Sequence, residues 1–444
     1  MSAYKVPAAR IDALSATAMV ISNMIGTGVF TSLGFQLAGI KHTFSILMLW
    51  VIGAVMALCG AMAYGELGAA MPRSGGEYNY LSKIYHPAIG FLSGWVSLTI
   101  GFAAPAALSS MAFGAYLARV FQFISPMAAG ITMLTLLTLL HCTGIKAGTA
   151  FQKSATFFNM LLILVFVVCG LFFTHNTLPV PLIPDASSLK DLLTPAFAVS
   201  LVYVTYAYSG WNAAAYVAGD MAQPKKILPL SLCAGTGIVA VLYLLLNYTF
   251  LKTASVDALA GQVDVAYVSA GNVFGPGGGS LVSCIISLLL ISSVSSFVFV
   301  GPRIMQTMGE DIHEIRFFSG KTKNGAPARA IIFQYVISIF LVLTGSFEKV
   351  LLYVGFTINL CAFMTVLGLF IHRHKYKHSE RPYKVWGYPF TPVLFLLIML
   401  WNLTYLLLEK PVQSFAGLAT VLFGLVFYYC GRASANQENH KAQL

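Results

Sequence analysis

Charge is what this sequence has least of. Asp, Glu, Lys and Arg make up 9% of its 444 residues, against about a quarter in a soluble domain. So thin a supply cannot coat a water-exposed globule, and with 58% hydrophobic residues the chain is not disordered either. A membrane protein is the class that remains. No Walker A pattern is present, and the nine His and seven Cys have no metal-ligand spacing, so no cofactor and no metal are expected. The cysteines lie within or at the ends of the apolar stretches, where they read as small buried hydrophobes and not as disulfide partners. A cleavable signal is not expected, because the first apolar stretch, 28 residues long, exceeds a signal h-region.

What is present is long uncharged runs. Twelve stretches contain no Asp, Glu, Lys or Arg: 13–40, 42–65, 84–118, 120–145, 154–184, 192–219, 227–251, 265–302, 330–346, 350–372, 385–408 and 411–431. The shortest has 17 residues, near the lower limit for a helix crossing a hydrocarbon core of roughly 30 Å. None alternates with period two, which favours helices over an outer-membrane barrel. The expected fold is therefore all-α and polytopic, with 12 transmembrane helices. A short surface helix is expected to precede the true span within 265–302. Threading twelve spans puts both termini on one side, together with 20 of the 26 Lys and Arg. By the positive-inside rule that side is the cytoplasm. The net charge of +11 thus reads as topology, and nucleic acid is not an expected partner.

Two spans break their own helical pattern. Span 1 carries Met24-Ile25-Gly26-Thr27-Gly28 in its middle, and each helical Gly costs roughly 1 kcal/mol relative to Ala. Span 6 carries Tyr206-Ala207-Tyr208-Ser209-Gly210-Trp211-Asn212. Such positions serve either close helix packing through small residues or an unwound segment whose backbone groups face a ligand. Interruptions in the first and sixth spans point to a transporter built from inverted repeats. The start of a half-helix suits a carboxylate, and freed carbonyls suit an ammonium. Together they suit an α-amino acid.

At these residues the sequence resembles the amino acid–polyamine–organocation superfamily, and within it the L-type amino acid transporter family and its bacterial relatives. The likeness rests on Ile25-Gly26-Thr27-Gly28-Val29-Phe30, on Tyr64-Gly65-Glu66-Leu67-Gly68, and on Met71-Pro72-Arg73-Ser74-Gly75-Gly76-Glu77-Tyr78. It continues in Tyr206–Asn212, with Ser209 where the family has Gly, and in Arg381-Pro382-Tyr383-Lys384-Val385-Trp386-Gly387-Tyr388-Pro389. It implies a LeuT-like 5+5 inverted repeat with discontinuous helices 1 and 6. The single transporter domain 1–444 would then hold a first repeat, 12–208 through the first half of helix 6, and a second repeat, 191–373. Helices 11 and 12 would occupy 389–431, and 432–444 would be a cytoplasmic tail. The resemblance also implies roles. A substrate carboxylate would meet the Thr27 hydroxyl and the Gly28 amide, beside Ile25, Gly26 and Gly210. The α-ammonium would meet the carbonyls of Met24, Tyr206 and Ser209. Tyr206 would be a gating aromatic, with Tyr208 a pocket wall.

Glu66, Arg73 and Glu77 sit near the cytoplasmic edge, where they would form an ionic latch between conformational states, and Asp220, near Lys225 and Lys226, reads the same way. No acidic or basic side chain lies at mid-span to receive a charged substrate, so neutral L-amino acids are the expected substrates. Small and hydroxylic walls come from Ala103 to Ser110 in span 3 and from Ser292, Ser293, Ser295 and Ser296 in span 8, with Ser295 assigned to the substrate. Many L-type relatives carry a Lys in helix 5 where sodium-coupled cousins hold sodium. Asn159 falls there, and with Ser292 and Ser296 it makes a possible ion site. The short loop near Gln122–Ser125 has no Cys, so no disulfide-linked heavy chain is expected. The resulting expectation is a multi-pass protein of the cell (inner) membrane that exchanges neutral amino acids independently of sodium by alternating access. A proton- or sodium-coupled symporter and a non-transporting amino acid sensor are the alternatives. An enzyme is not expected, since no span holds convergent acid, base or metal groups.

Overall fold

The computed structural model describes residues 11–143, 149–174, 177–275, 277–322 and 325–441. Among these residues the regular structure is helical, apart from one isolated bridge between Ile11 and Met221. Span 1 is two helices, α1 (Ala13–Met24) and α2 (Thr27–Gly39). Span 2 is α3 (Thr43–Ala70), followed by the short α4 (Glu77–Ile84). Span 3 joins α5 (Pro87–Val96) to α6 (Ala103–Val120) through a π-helical segment, Ser97–Phe102. Spans 4 and 5 are α7 (Pro126–Cys142) and α8 (Thr149–Phe172), and α9 (Ala186–Asp191) leads to α10 (Pro195–Tyr208), the first half of span 6. Its second half is a 3-10 segment, Ala213–Asp220. Next come α11 (Pro224–Thr253), α12 (Val256–Leu259), α13 (Val265–Phe274) and α14 (Gly278–Asp311). The chain ends with α15 (Ala328–Thr344), α16 (Phe347–Lys375), α17 (Phe390–Glu409) and α18 (Pro411–Lys441).

Among the described residues, eight helical segments are long and apolar enough to cross a membrane, and α7, Phe157–Phe172 of α8 and α15 are shorter apolar helices. The chain is therefore a polytopic helical membrane protein. The short helix foreseen before span 8 is α13, separated from α14 by a turn at Gly275, which has φ of 81°. Helix α18 runs on through the segment foreseen as a tail as far as Lys441, and 442–444 lie outside the described residues.

The π segment in span 3 has a local cause. Pro105 has no N–H to give the carbonyl four residues back, and its ring crowds that carbonyl. Gly101 occupies that place, and the helix takes a wider turn just before the proline. The segment after α11 closes over α2. The Gly261 amide donates to the Gly34 carbonyl at 2.8 Å. Arg119 at the end of α6 pairs with Asp264, which is 5% exposed in its side chain, and donates to Gln262 Oε1 at 3.2 Å.

Candidate functional site

The two interrupted spans lie side by side, and each break has a distinct backbone form. Helix α1 ends at Met24, Ile25 turns out with ψ of 93°, and Gly26 is extended at φ −140° and ψ −150°. Helix α2 then restarts at Thr27 with no side chain capping it, although Thr27, Gly28 and Val29 are buried. A buried helix N-terminus without a cap is a place where orphan N–H groups await a partner. In span 6, α10 stops at Tyr208, and Gly210 takes the left-handed φ of 98° that only glycine accepts cheaply. A side chain there would also strike the Asn23 carbonyl oxygen, 2.6 Å from the added carbon.

Contacts between the breaks explain which residue does what. The Thr27 hydroxyl and the Tyr206 hydroxyl lie 3.3 Å apart, so Thr27 faces span 6 and is not bonded back to its own helix. Gly28 is a packing glycine: a Cβ there would sit 2.5 Å from Ala207 Cα. Gly26 is the open one, with nothing within 4 Å of an added Cβ. Of the three carbonyls assigned to an ammonium, two are already engaged. Tyr206 O accepts the Ser209 amide at 2.9 Å, and Met24 O accepts the Tyr243 hydroxyl at 2.5 Å. Each keeps a second lone pair for a ligand.

Tyr243 was not legible as a site residue. Its hydroxyl also reaches Ala207 O at 3.2 Å, so one buried phenol on α11 ties the freed carbonyls of both spans. Its ring packs with Trp50 and Tyr208. Tyr243→Phe removes only that hydroxyl. Leaving buried carbonyls under-bonded is expected to destabilise the protein by about 1–3 kcal/mol, read as a lowered thermal midpoint of the detergent-purified protein. An unchanged midpoint would mean that the bridge is dispensable.

Other assigned residues are placed differently. The Ser295 hydroxyl pairs with His141 Nε2 of α7 at 2.9 Å, which engages it with span 4. Asn159 is buried, and its Oδ1 has no hydrogen-bond partner; its helix α8 packs against both α1 and α14. Ser292 is buried on α14, and Ser296 lies one turn further on. The proposed walls from Ala103 to Ser110 are buried within the helix packing. The cavity that adjoins the span 6 break lies on the opposite face of that span. Ser209, Gly210, Trp211 and Asn212 line it, with Gly53 and Met56 of α3, Asn359 of α16 and Phe395 of α17. Its single acidic lining residue is Glu77.

The foreseen ionic latch divides into separate contacts. Glu66 is fully buried and bonds Arg373 of α16 through both oxygens. Its Oε2 also accepts the Val385 amide at 2.7 Å, and Arg381 stands 3.9 Å away. Arg73 is exposed, and the described contacts of Glu66 and Glu77 are with other residues. Glu77 instead accepts the Tyr64 hydroxyl and, at 3.0 Å, the Asn212 amide. Burial pushes its carboxyl above the ordinary range, against the opposing hydrogen bonds from Tyr64, Asn212 and Ser93. Asp220 is exposed and offers its backbone carbonyl to the Ile11 amide at 3.0 Å, while Lys225 pairs with Glu380 at 3.0 Å. The reason is the same throughout: the partners come from distant segments, and the nearest charges in sequence are not the nearest in space.

Known proteins share this arrangement of sequence. The amino acid permease family matches residues 11–427. The chain is 27% identical over 432 residues to the b(0,+)-type amino acid transporter 1 of Mus musculus, covering 94% of this chain and 87% of the relative. It is 27% identical over 427 residues to the serine/threonine exchanger SteT of Bacillus subtilis, covering 94% and 96%. The cystine/glutamate transporter of Homo sapiens is 26% identical over 433 residues, with 95% and 84% covered. A buried, uncapped half-helix facing a second broken span is a place to hold a small zwitterion, and with the match over nearly its whole length the chain belongs to the amino acid permease family, a family of transporters and not of enzymes.

Proposed function

We propose that the protein exchanges neutral L-amino acids across the cell (inner) membrane by alternating access, without sodium. The observation that carries this reading is the contact between the two helix breaks, with an uncapped helix start on one side and carbonyl-bearing turns on the other. The substrate carboxylate meets the amides at the start of α2, with Gly26 leaving room for its approach and Thr27 offering its hydroxyl. The ammonium meets the remaining lone pairs of Met24, Tyr206 and Ser209. Tyr206 closes over the substrate from span 6. No acidic or basic side chain lies at mid-span, which supports neutral side chains in the substrate. The relative named as a serine/threonine exchanger, matched over 96% of its length, supports exchange and small substrates.

The same reading assigns twelve spans. The eight long segments, the three shorter helices α7, α8 and α15, and the broken span 6 make up that number. It arranges 12–208 and 191–373 as inverted repeats within one domain, adds 389–431 as the last two spans, and leaves both termini in the cytoplasm. Asn159, in place of a built-in cation, leaves a neutral position between α1 and α14. The partners are the amino acid and the lipid bilayer, without a disulfide-linked second chain.

Purified protein in proteoliposomes tests the proposal. Labelled serine or another neutral amino acid is expected to enter only when the lumen is preloaded with amino acid, at the same rate with and without sodium. Entry into empty vesicles that follows a sodium or proton gradient would overturn exchange in favour of symport. Binding without any flux would support the sensor reading.

A further inference from the structure

Glu77 is a buried carboxyl with no counter-charge among the described residues. It is 5% exposed and opens helix α4 at the turn between spans 2 and 3. Among the described residues no Lys, Arg or His pairs with it, and Arg373 and Arg381 are turned to Glu66. The groups that face it are neutral: Tyr64 from α3, Tyr80 from α4, Ser93 from α5, Asn212 and Tyr216 from the second half of span 6, and Cys361 from α16. Its two oxygens are unequal. Oε1 accepts both the Tyr64 hydroxyl and the Asn212 amide, whereas Oε2 has only the Ser93 hydroxyl at 3.5 Å. Burial without a counter-charge disfavours the ionised form and raises the carboxyl's affinity for a proton, against the three hydrogen bonds it accepts.

We propose that Glu77 is a proton-binding site of the transport cycle, with the proton on Oε2 in the conformation described here. The site rests on the transport reading, and its position gives it leverage on that cycle. Asn212 belongs to the segment that follows the span 6 break and lines the same cavity as Glu77. Two further bonds dock the turn before Glu77 on that segment, from the Gly75 amide to Tyr216 O at 3.2 Å and from the Gly219 amide to Ser74 Oγ at 3.0 Å. Loss of the proton to water would leave a bare charge in the seam between the turn and span 6. Water must then enter or the seam must part, so proton binding favours the docked arrangement. A metal cation is the weaker occupant, because the neighbours that reach Oε1 do so as hydrogen-bond donors.

Two readouts test the site. In the infrared spectrum, the carbonyl stretch of a protonated carboxyl is expected near neutral pH in the wild type and is expected to be missing in Glu77→Gln. Tyr64→Phe, which removes one bond to Oε1, is expected to shift that band and serves if Glu77→Gln fails to fold. In preloaded vesicles, wild-type exchange is expected to change at least about threefold as pH is raised across the range in which the protein stays folded, and Glu77→Gln to be flat over that range whatever its absolute rate. Superimposed pH profiles, or a band that neither variant alters, would overturn the proposal. The infrared arm decides the proton site even if wild-type vesicles exchange no amino acid, a result that would sink the transport reading alone.

Discussion

Gly28→Val is expected to abolish transport by breaking the packing between spans 1 and 6, while Gly26→Ala is expected to fold normally and lose substrate. The two glycines stand two residues apart and have opposite surroundings. At Gly28 the first added carbon would lie 2.5 Å from Ala207 Cα and 3.2 Å from Ala207 N. Those are backbone atoms next to the Tyr206 and Tyr208 side chains, and they cannot swing aside as a flexible side chain could. Overpacking of this kind destabilises by about 3 kcal/mol or more when the backbone must move. At Gly26 the same carbon meets nothing within 4 Å, and φ of −140° suits any residue. Gly26→Ala is therefore expected to stay within about 0.5 kcal/mol of the wild-type stability, and any loss of affinity reports the space a ligand needs. Thermal melts of the purified variants, paired with equilibrium binding of a labelled amino acid, separate the two effects. A Gly28→Val protein that melts normally yet binds nothing would return that glycine to the ligand. Full affinity in Gly26→Ala would remove the carboxylate from that side of the break.

Both breaks were legible in the sequence because glycine and hydroxyl residues in the middle of an apolar run oppose the helix locally, at Gly26-Thr27-Gly28 and at Ser209-Gly210. The eight long apolar helices were legible because charge avoids hydrocarbon. What each glycine does was not legible, since Gly28 owes its role to Ala207, a residue from the other broken span. Tyr243 is the same case. A tyrosine in an apolar helix reads as packing until the Met24 and Ala207 carbonyls are seen at its hydroxyl. Ser295 shows the converse: a hydroxyl in span 8 reads as a pocket wall, and its contact with His141 is not visible in the sequence. The π segment has a local sign in Pro105 of span 3, since a proline inside a helix frees a carbonyl one turn back. Charge clusters were the least legible, because adjacency in sequence suggested pairs that geometry assigns elsewhere.

Glu66→Ala is expected to be among the most destabilising single substitutions in the protein, at about 3–5 kcal/mol. Glu66 is fully buried, and the Arg373 and Arg381 side chains are 20% and 18% exposed. Arg373 comes from a residue 307 positions away and also stacks its guanidinium 3.5 Å from the Tyr388 ring centre. The Val385 amide completes the site. One carboxylate thus holds span 2, span 10 and the linker into span 11 together, and removing it strands partly buried cations as well as a buried N–H. Glu66→Gln keeps one acceptor oxygen and the side-chain volume and is expected to lose less, although its amide NH2 would face N–H donors. Arg373→Lys keeps the charge but not the two-pronged geometry, and is expected to fall between Glu66→Gln and the wild type. Exchanging both partners, Glu66→Leu with Arg373→Met, is expected to recover part of the loss, since an apolar pair needs no desolvated charge to be matched. These variants also distinguish an anchor from a latch. A latch opens in every cycle, so weakening it changes the exchange rate more than the melting temperature. An anchor stays closed, so the melting temperature falls while the protein that remains folded exchanges at nearly the wild-type rate. The saturated, dry geometry at Glu66 supports the anchor. A folded Glu66→Gln protein of wild-type stability with a changed exchange rate would make it a latch.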